Sequence, residues 1–94
     1  MVVIKARPTI ANVTMTDADT EYSYEIPAGT RYFKIKLRDI GFQMKLAVVE
    51  GDSGTTYITL QQAQLYETDA KGGSITLYFQ SSQANMVAEI MTFK

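Results

Sequence analysis

The chain has no cysteine and no histidine among its 94 residues. The first absence excludes a disulfide framework, a thiol nucleophile and any thiolate metal site. The second removes the usual base for a serine nucleophile and a common ligand of zinc and redox metals. An excess of one charge is also lacking, since nine Lys plus Arg stand against ten Asp plus Glu. A near-neutral chain has no bulk attraction for nucleic acid or for an anionic membrane. No apolar run reaches the length that crosses a bilayer. The head Met1-Val2-Val3-Ile4-Lys5-Ala6-Arg7 is too short in its apolar part for a signal-peptide core. These absences predict a chain with no classical export signal, membrane anchor, cofactor or resident metal, at home in a reducing compartment.

What is present is alternation with a period of two, and no long window repeats at helical spacing. From Glu21 to Ile26, Tyr22, Tyr24 and Ile26 share one face. Pro27-Ala28-Gly29-Thr30 reads as a turn, because proline presets the bend and glycine tolerates positive φ. From Arg31 to Arg38, Phe33, Ile35 and Leu37 alternate with Tyr32, Lys34 and Lys36. Closing these two segments as a hairpin sets Tyr24 opposite Phe33 and Tyr22 opposite Ile35. It also sets Glu21 opposite Lys36 and Asp19 opposite Arg38, the kind of cross-strand match that antiparallel pairs favour.

Further strands follow on the same logic. Phe42, Met44, Leu46 and Val48 share a side, and Tyr57 and Thr59 alternate with Ile58 and Leu60 after the turn Gly51-Asp52-Ser53-Gly54. Gln62 to Thr68 fits either a short helix or a twisted edge strand. Asp69-Ala70-Lys71-Gly72-Gly73 reads as a turn. Ser74 to Gln80 aligns Ile75, Leu77 and Phe79, and Met86 to Phe93 sets Ala88 and Ile90 against that face with Glu89 outside. Val2 to Met15 reads as one strand, or two broken at Pro8. Ile26 to Tyr32 faintly echoes Leu60 to Tyr66 at its ends, a trace of a repeated strand-turn unit. The expected fold is all-β: one domain over residues 1–94, a compact antiparallel sandwich or small jelly-roll-like barrel of six to eight short strands. A chain of this size has modest stability alone and gains from oligomerisation or docking.

Four groups of residues carry chemistry and need weighing. Gly51-Asp52-Ser53-Gly54 spells part of a serine-protease motif, yet the chain offers no histidine base, so Ser53 is expected in an exposed turn. Asp17, Asp19 and Glu21 offer oxygen ligands to a hard cation, but without the EF-hand's glycine and bidentate glutamate at their offsets. Their better reading is an acidic strand face with basic partners. Lys34, Lys36 and Arg38 beside Tyr32 resemble a strand that tracks a nucleic-acid backbone. The negative net charge favours a wet or ion-paired face. Six tyrosines are many for this length, and tyrosine serves equally as sheet surface and as interface anchor.

The run from Asn12 through Thr16-Asp17-Ala18-Asp19-Thr20-Glu21-Tyr22 to Phe33 resembles small structural proteins of tailed bacteriophages. Ser74-Ile75-Thr76-Leu77-Tyr78-Phe79-Gln80-Ser81-Ser82 and Val87-Ala88-Glu89-Ile90 share that likeness, which runs from about Ala11 to the end. The motifs are strand and turn residues, so no catalytic group comes with them. The resemblance implies a virion component assembled in the host cytoplasm. It would be a capsid cement or decoration protein bound to the major capsid protein and to copies of itself as a dimer or trimer. A neck, tail or fibre piece, or a receptor- or carbohydrate-binding module, is the alternative. Strand parity nominates Arg31, Tyr32, Arg38, Tyr57, Tyr66 and Tyr78 as interface anchors.

Overall fold

The alternation resolves into eight strands in a computed structural model, which describes residues 8–39, 41–61, 65–69 and 75–93. They are β1 (Thr9–Met15), β2 (Tyr22–Ile26), β3 (Tyr32–Leu37), β4 (Met44–Ala47), β5 (Ile58–Leu60), β6 (Leu65–Asp69), β7 (Ile75–Ser81) and β8 (Met86–Phe93). One 3-10 turn, Asp52–Gly54, lies between β4 and β5. The expected strand before Pro8 and the turn over 70–73 lie outside the described residues, as do 62–64. Of the segment left open between helix and strand, the described part, residues 65–68, lies in an edge strand, β6.

The path is a long antiparallel ribbon rolled onto itself. The chain runs out through β1 to β4 and returns through β5 to β8, so that β1 pairs β8, β2 pairs β7, β3 pairs β6 and β4 pairs β5. Rolling sends alternate rungs of the ribbon to opposite layers. The added pairings β3 with β8 and β4 with β7 close each layer. Two four-stranded sheets result, in the orders β1-β8-β3-β6 and β2-β7-β4-β5. We call them the first and second sheet. This is the double-sheet jelly roll. The core lies between the sheets, where Ile35, Phe33 and Ile90 of the first meet Leu77, Phe79, Met44 and Ile26 of the second. Ala88 and Ile90 are buried with Glu89 turned outward, as the alternation implies.

The hairpin expected from β2 and β3 does not form. β2 pairs with β7 in the second sheet and β3 with β6 and β8 in the first, so Tyr24 and Phe33 belong to different layers. Tyr24 lies opposite Leu77 and Phe33 opposite both Thr68 and Thr92. Pro27 to Thr30 is an arch between layers. The Pro27 carbonyl accepts from the Thr30 amide at 3.2 Å and from its hydroxyl at 2.6 Å, and Gly29 takes φ +86. At the end of the arch the Arg31 amide donates to the Phe93 carbonyl of β8 at 2.8 Å, which commits the next strand to the first sheet. The charge pairs change accordingly. Lys36 and Arg38 meet Glu89, and neither Glu21 nor Asp19 faces them.

The faint echo falls on two equivalent crossings. Ile26 ends β2 and Leu60 ends β5, both buried, and each is followed by passage from the second sheet to the first. The two tyrosines differ, since Tyr32 faces outward and Tyr66 packs on the core.

Candidate interaction surfaces

Among the described residues, every buried side-chain nitrogen and oxygen has a hydrogen-bond partner, and the interior is filled by apolar groups.

Ser53 departs from its expected exposed turn. It is buried, and its hydroxyl donates to Glu21 Oε1 at 2.5 Å. The Ser53 amide reaches the same oxygen at 3.1 Å, the Gly51 amide donates to Glu21 Oε2 at 2.9 Å, and Gln80 Nε2 donates to Ser53 Oγ at 2.9 Å. The Ser53 hydroxyl, with help from the two amides, holds the Glu21 carboxyl below its ordinary range against the opposing effect of partial burial. A carboxylate made less basic in this way is a poor general base. What it does well is pin the loop between β4 and β5 to the entrance of β2. Asp17, Asp19 and Glu21 do not form an ion-binding cluster among the described residues.

The outer face of the first sheet is a lattice of rows set by the register. Ile10, Met91, Lys34 and Glu67 lie side by side, and so do Asn12, Glu89, Lys36 and Leu65. Lys34 reaches Glu67 at 3.9 Å, Lys36 reaches Glu89 at 3.7 Å, and Arg38 Nε donates to Glu89 at 2.8 Å. Tyr32 and Phe93 stand with ring centroids 5.8 Å apart, with Lys34 Nζ within 6.0 Å of both rings. The Glu67 carboxylate accepts a hydrogen bond from the Tyr32 hydroxyl and holds that phenol above its ordinary range. The basic stripe is thus an ion-paired sheet face. A shallow depression of about 300 Å³ runs between Ile10, Met91 and Leu65. Because these pairs stand in water, Glu89→Gln should cost no more than about 1 kcal/mol in urea unfolding, although two cations converge on it.

The far end, past β4 and β5, is different. Val48 is 62% exposed, Val49 56%, Ile58 47% and Tyr57 37%. Ile58 sits opposite buried Leu46, so by parity it belongs to the core side, yet it is left uncovered at the margin of the sandwich. A second depression of about 300 Å³ is lined there by Leu46, Ala47, Val48, Tyr57, Ile58 and Tyr66. Lys45 Nζ lies 5.0 Å from the centroid of the Tyr57 ring. Phe42 is exposed as well, so the row expected from Phe42 to Val48 is buried only at Met44 and Leu46.

The nominated anchors do not form one patch. Tyr57 and Tyr66 share the second depression, with Tyr66 packed against Phe33 at 6.1 Å between centroids. Tyr32 opens β3 and Arg38 follows its last residue at the other end, on the first sheet, with exposed Arg31 before Tyr32. Tyr78 faces outward from the second sheet. Strand parity missed Val48, Val49 and Ile58. A signal existed, because Val48-Val49 breaks the alternation just before Gly51, and adjacent strand residues cannot both face one core.

No protein-family model matches the chain, and no match is found among curated proteins. Among solved structures, the chain is similar to the solution NMR structure of a de novo designed double-stranded β-helix. The match has a TM-score of 0.55 at 13% identity, covering 94% of this chain and 99% of that one. At that identity the likeness concerns the fold, and it agrees with the rolled ribbon described above.

Proposed function

We propose that this chain is a non-enzymatic structural protein of a tailed-bacteriophage particle, a cement or decoration protein that docks on the major capsid protein of the head shell. The observation that carries the assembly part is the uncovered apolar end formed by Val48, Tyr57 and Ile58. Groups of this kind left in water mark contact sites. Tyr57 is the natural anchor there, with a ring to bury and a hydroxyl to keep wet. The apolar core between the sheets supports the same reading, since among the described residues the buried polar side chains are all hydrogen-bonded within the chain. Absence of histidine and cysteine, and the weakly basic partner of Ser53, argue against turnover. The virion assignment rests on the resemblance of the segments around Asn12–Phe33 and Ser74–Ser82 to phage structural proteins.

Reconstruction of the intact particle should place the chain on the head at high, symmetric copy number. Heads lacking it should burst earlier on heating or in low salt than complete ones. Heads that form normally and burst no earlier would end the cement reading. Density at the neck, tail or fibre would then favour the receptor- or carbohydrate-binding alternative.

A further inference from the structure

A sandwich has four edge strands, and in this one they differ in what they offer a second copy. β1 and β6 bound the first sheet, and β2 and β5 the second. An edge strand presents unpaired backbone donors and acceptors, and two copies of it can pair around a two-fold axis unless like charges meet. β6 is centred on Glu67, which such an axis would set against its own copy. β2 centred on Tyr24 would bring two Glu25 side chains onto one face as diagonal neighbours. β5 carries no charge but is only three residues long. β1 has seven residues, Thr9-Ile10-Ala11-Asn12-Val13-Thr14-Met15, and none is charged. Among the described residues it pairs with β8 alone.

We infer that β1 is a homodimerisation edge, pairing antiparallel with β1 of a second copy about an axis through Asn12. That register is self-complementary on both faces. On the outer face Asn12 meets its own copy, where two side-chain amides can exchange hydrogen bonds. Ile10, 62% exposed in the single chain, meets Thr14, a β-branched pair. On the inner face Ala11 meets Val13, and both already pack against the core cluster. The two first sheets become one continuous eight-stranded sheet. Because β1 and β2 bound one side of the sandwich and β5 and β6 the other, the dimer leaves its two Tyr57 ends free and far apart. This deepens the assembly reading by giving a cement protein two docking ends. It depends on that reading for its purpose and not for its physics.

The test uses the purified chain in sedimentation equilibrium, with no particle present. The wild type should show a monomer–dimer equilibrium. Asn12→Lys should weaken it by on the order of tenfold or more, because two ammonium groups meet at the axis. Within one chain Asn12 lies opposite Glu89, so the lysine gains an ionic neighbour and the monomer stays folded. Asn12→Asp should also weaken the dimer, and an equimolar mixture of the two variants should restore association as a heterodimer. That rescue separates an axial contact from a folding defect, which circular dichroism also monitors. A wild type that stays monomeric at high micromolar concentration overturns the inference. So does a dimer indifferent to Asn12→Lys, or one lost on Ile58→Asp instead. A dimer that forms while heads do not bind the chain would retain this inference and end the cement reading. Shell binding by a strict monomer would do the reverse.

Discussion

Phe79→Ala should remove about 3–5 kcal/mol of stability, a loss that among the described residues only a truncation such as that of equally buried Phe33 should match. Phe79 is fully buried in β7, between Tyr22 of β2 and Leu46 of β4, and it faces the first sheet across the core. β7 is held by ladders to β2 on one side and β4 on the other, so the surroundings cannot collapse freely into the space left behind. A domain of this length has a total stability of about 5–14 kcal/mol, and the variant would lose a large share of it. Urea unfolding should show a lower midpoint with an unchanged slope. Ile58→Ala supplies the contrast. It has the same core-side parity as buried Leu46 opposite it but is 47% exposed, so its truncation should cost well under about 1 kcal/mol. If the two substitutions cost the same, the assignment of the core to the space between β7 and β3 is wrong.

Glu21→Ala should detach the loop between β4 and β5, at a cost of about 1–3 kcal/mol. Three donors lose their acceptor together: the Gly51 and Ser53 amides and the Ser53 hydroxyl. Ser53 is buried, so its amide cannot turn to water without the loop moving. Amide exchange should accelerate at residues 51 and 53 before any change in the β7–β2 ladder. Glu21→Gln keeps an acceptor oxygen and should cost less. The pH dependence has a definite sign. The folded carboxyl is held below its ordinary range, first by the Ser53 hydroxyl and then by the two amides. The unfolded chain therefore binds this proton more readily. The contribution is complete above the ordinary glutamate value of 4.5 and is lost as pH falls through the lower folded value. Urea midpoints of wild type and Glu21→Gln should converge as pH drops from neutral to below the ordinary glutamate value. A gap that stays constant over that range would show that the charge on Glu21 contributes nothing to holding the loop.

The sequence alone determined the class of fold, because a two-residue period assigns each side chain to a face and requires nothing else. Leu77 and Phe79, and likewise Phe33 and Ile35, lie on the buried faces that alternation assigns them. It also determined that catalysis by the usual thiol or imidazole routes has no residues to use. Which strands lie side by side was beyond its reach. Two apolar faces are satisfied equally well beside each other in one sheet or against each other across a core, so Tyr24 and Phe33 matched on paper as a hairpin pair. The arch at Pro27–Thr30, with Arg31 captured by Phe93, chose the second arrangement. Charge matching failed for the same reason. A surface pair is worth little, so Lys36 and Arg38 take whichever carboxylate the sheet order brings, and that is Glu89 of β8. Ser53 and Glu21, 32 residues apart, carry no local pattern that could announce their contact. The exposed margin at Val48, Tyr57 and Ile58 likewise follows from the sheet order, which leaves β5 as a three-residue edge strand paired with β4 and sets Ile58, its first residue, at the rim. Local periodicity decides what each residue turns toward. Only the rolling of the ribbon decides what it meets there.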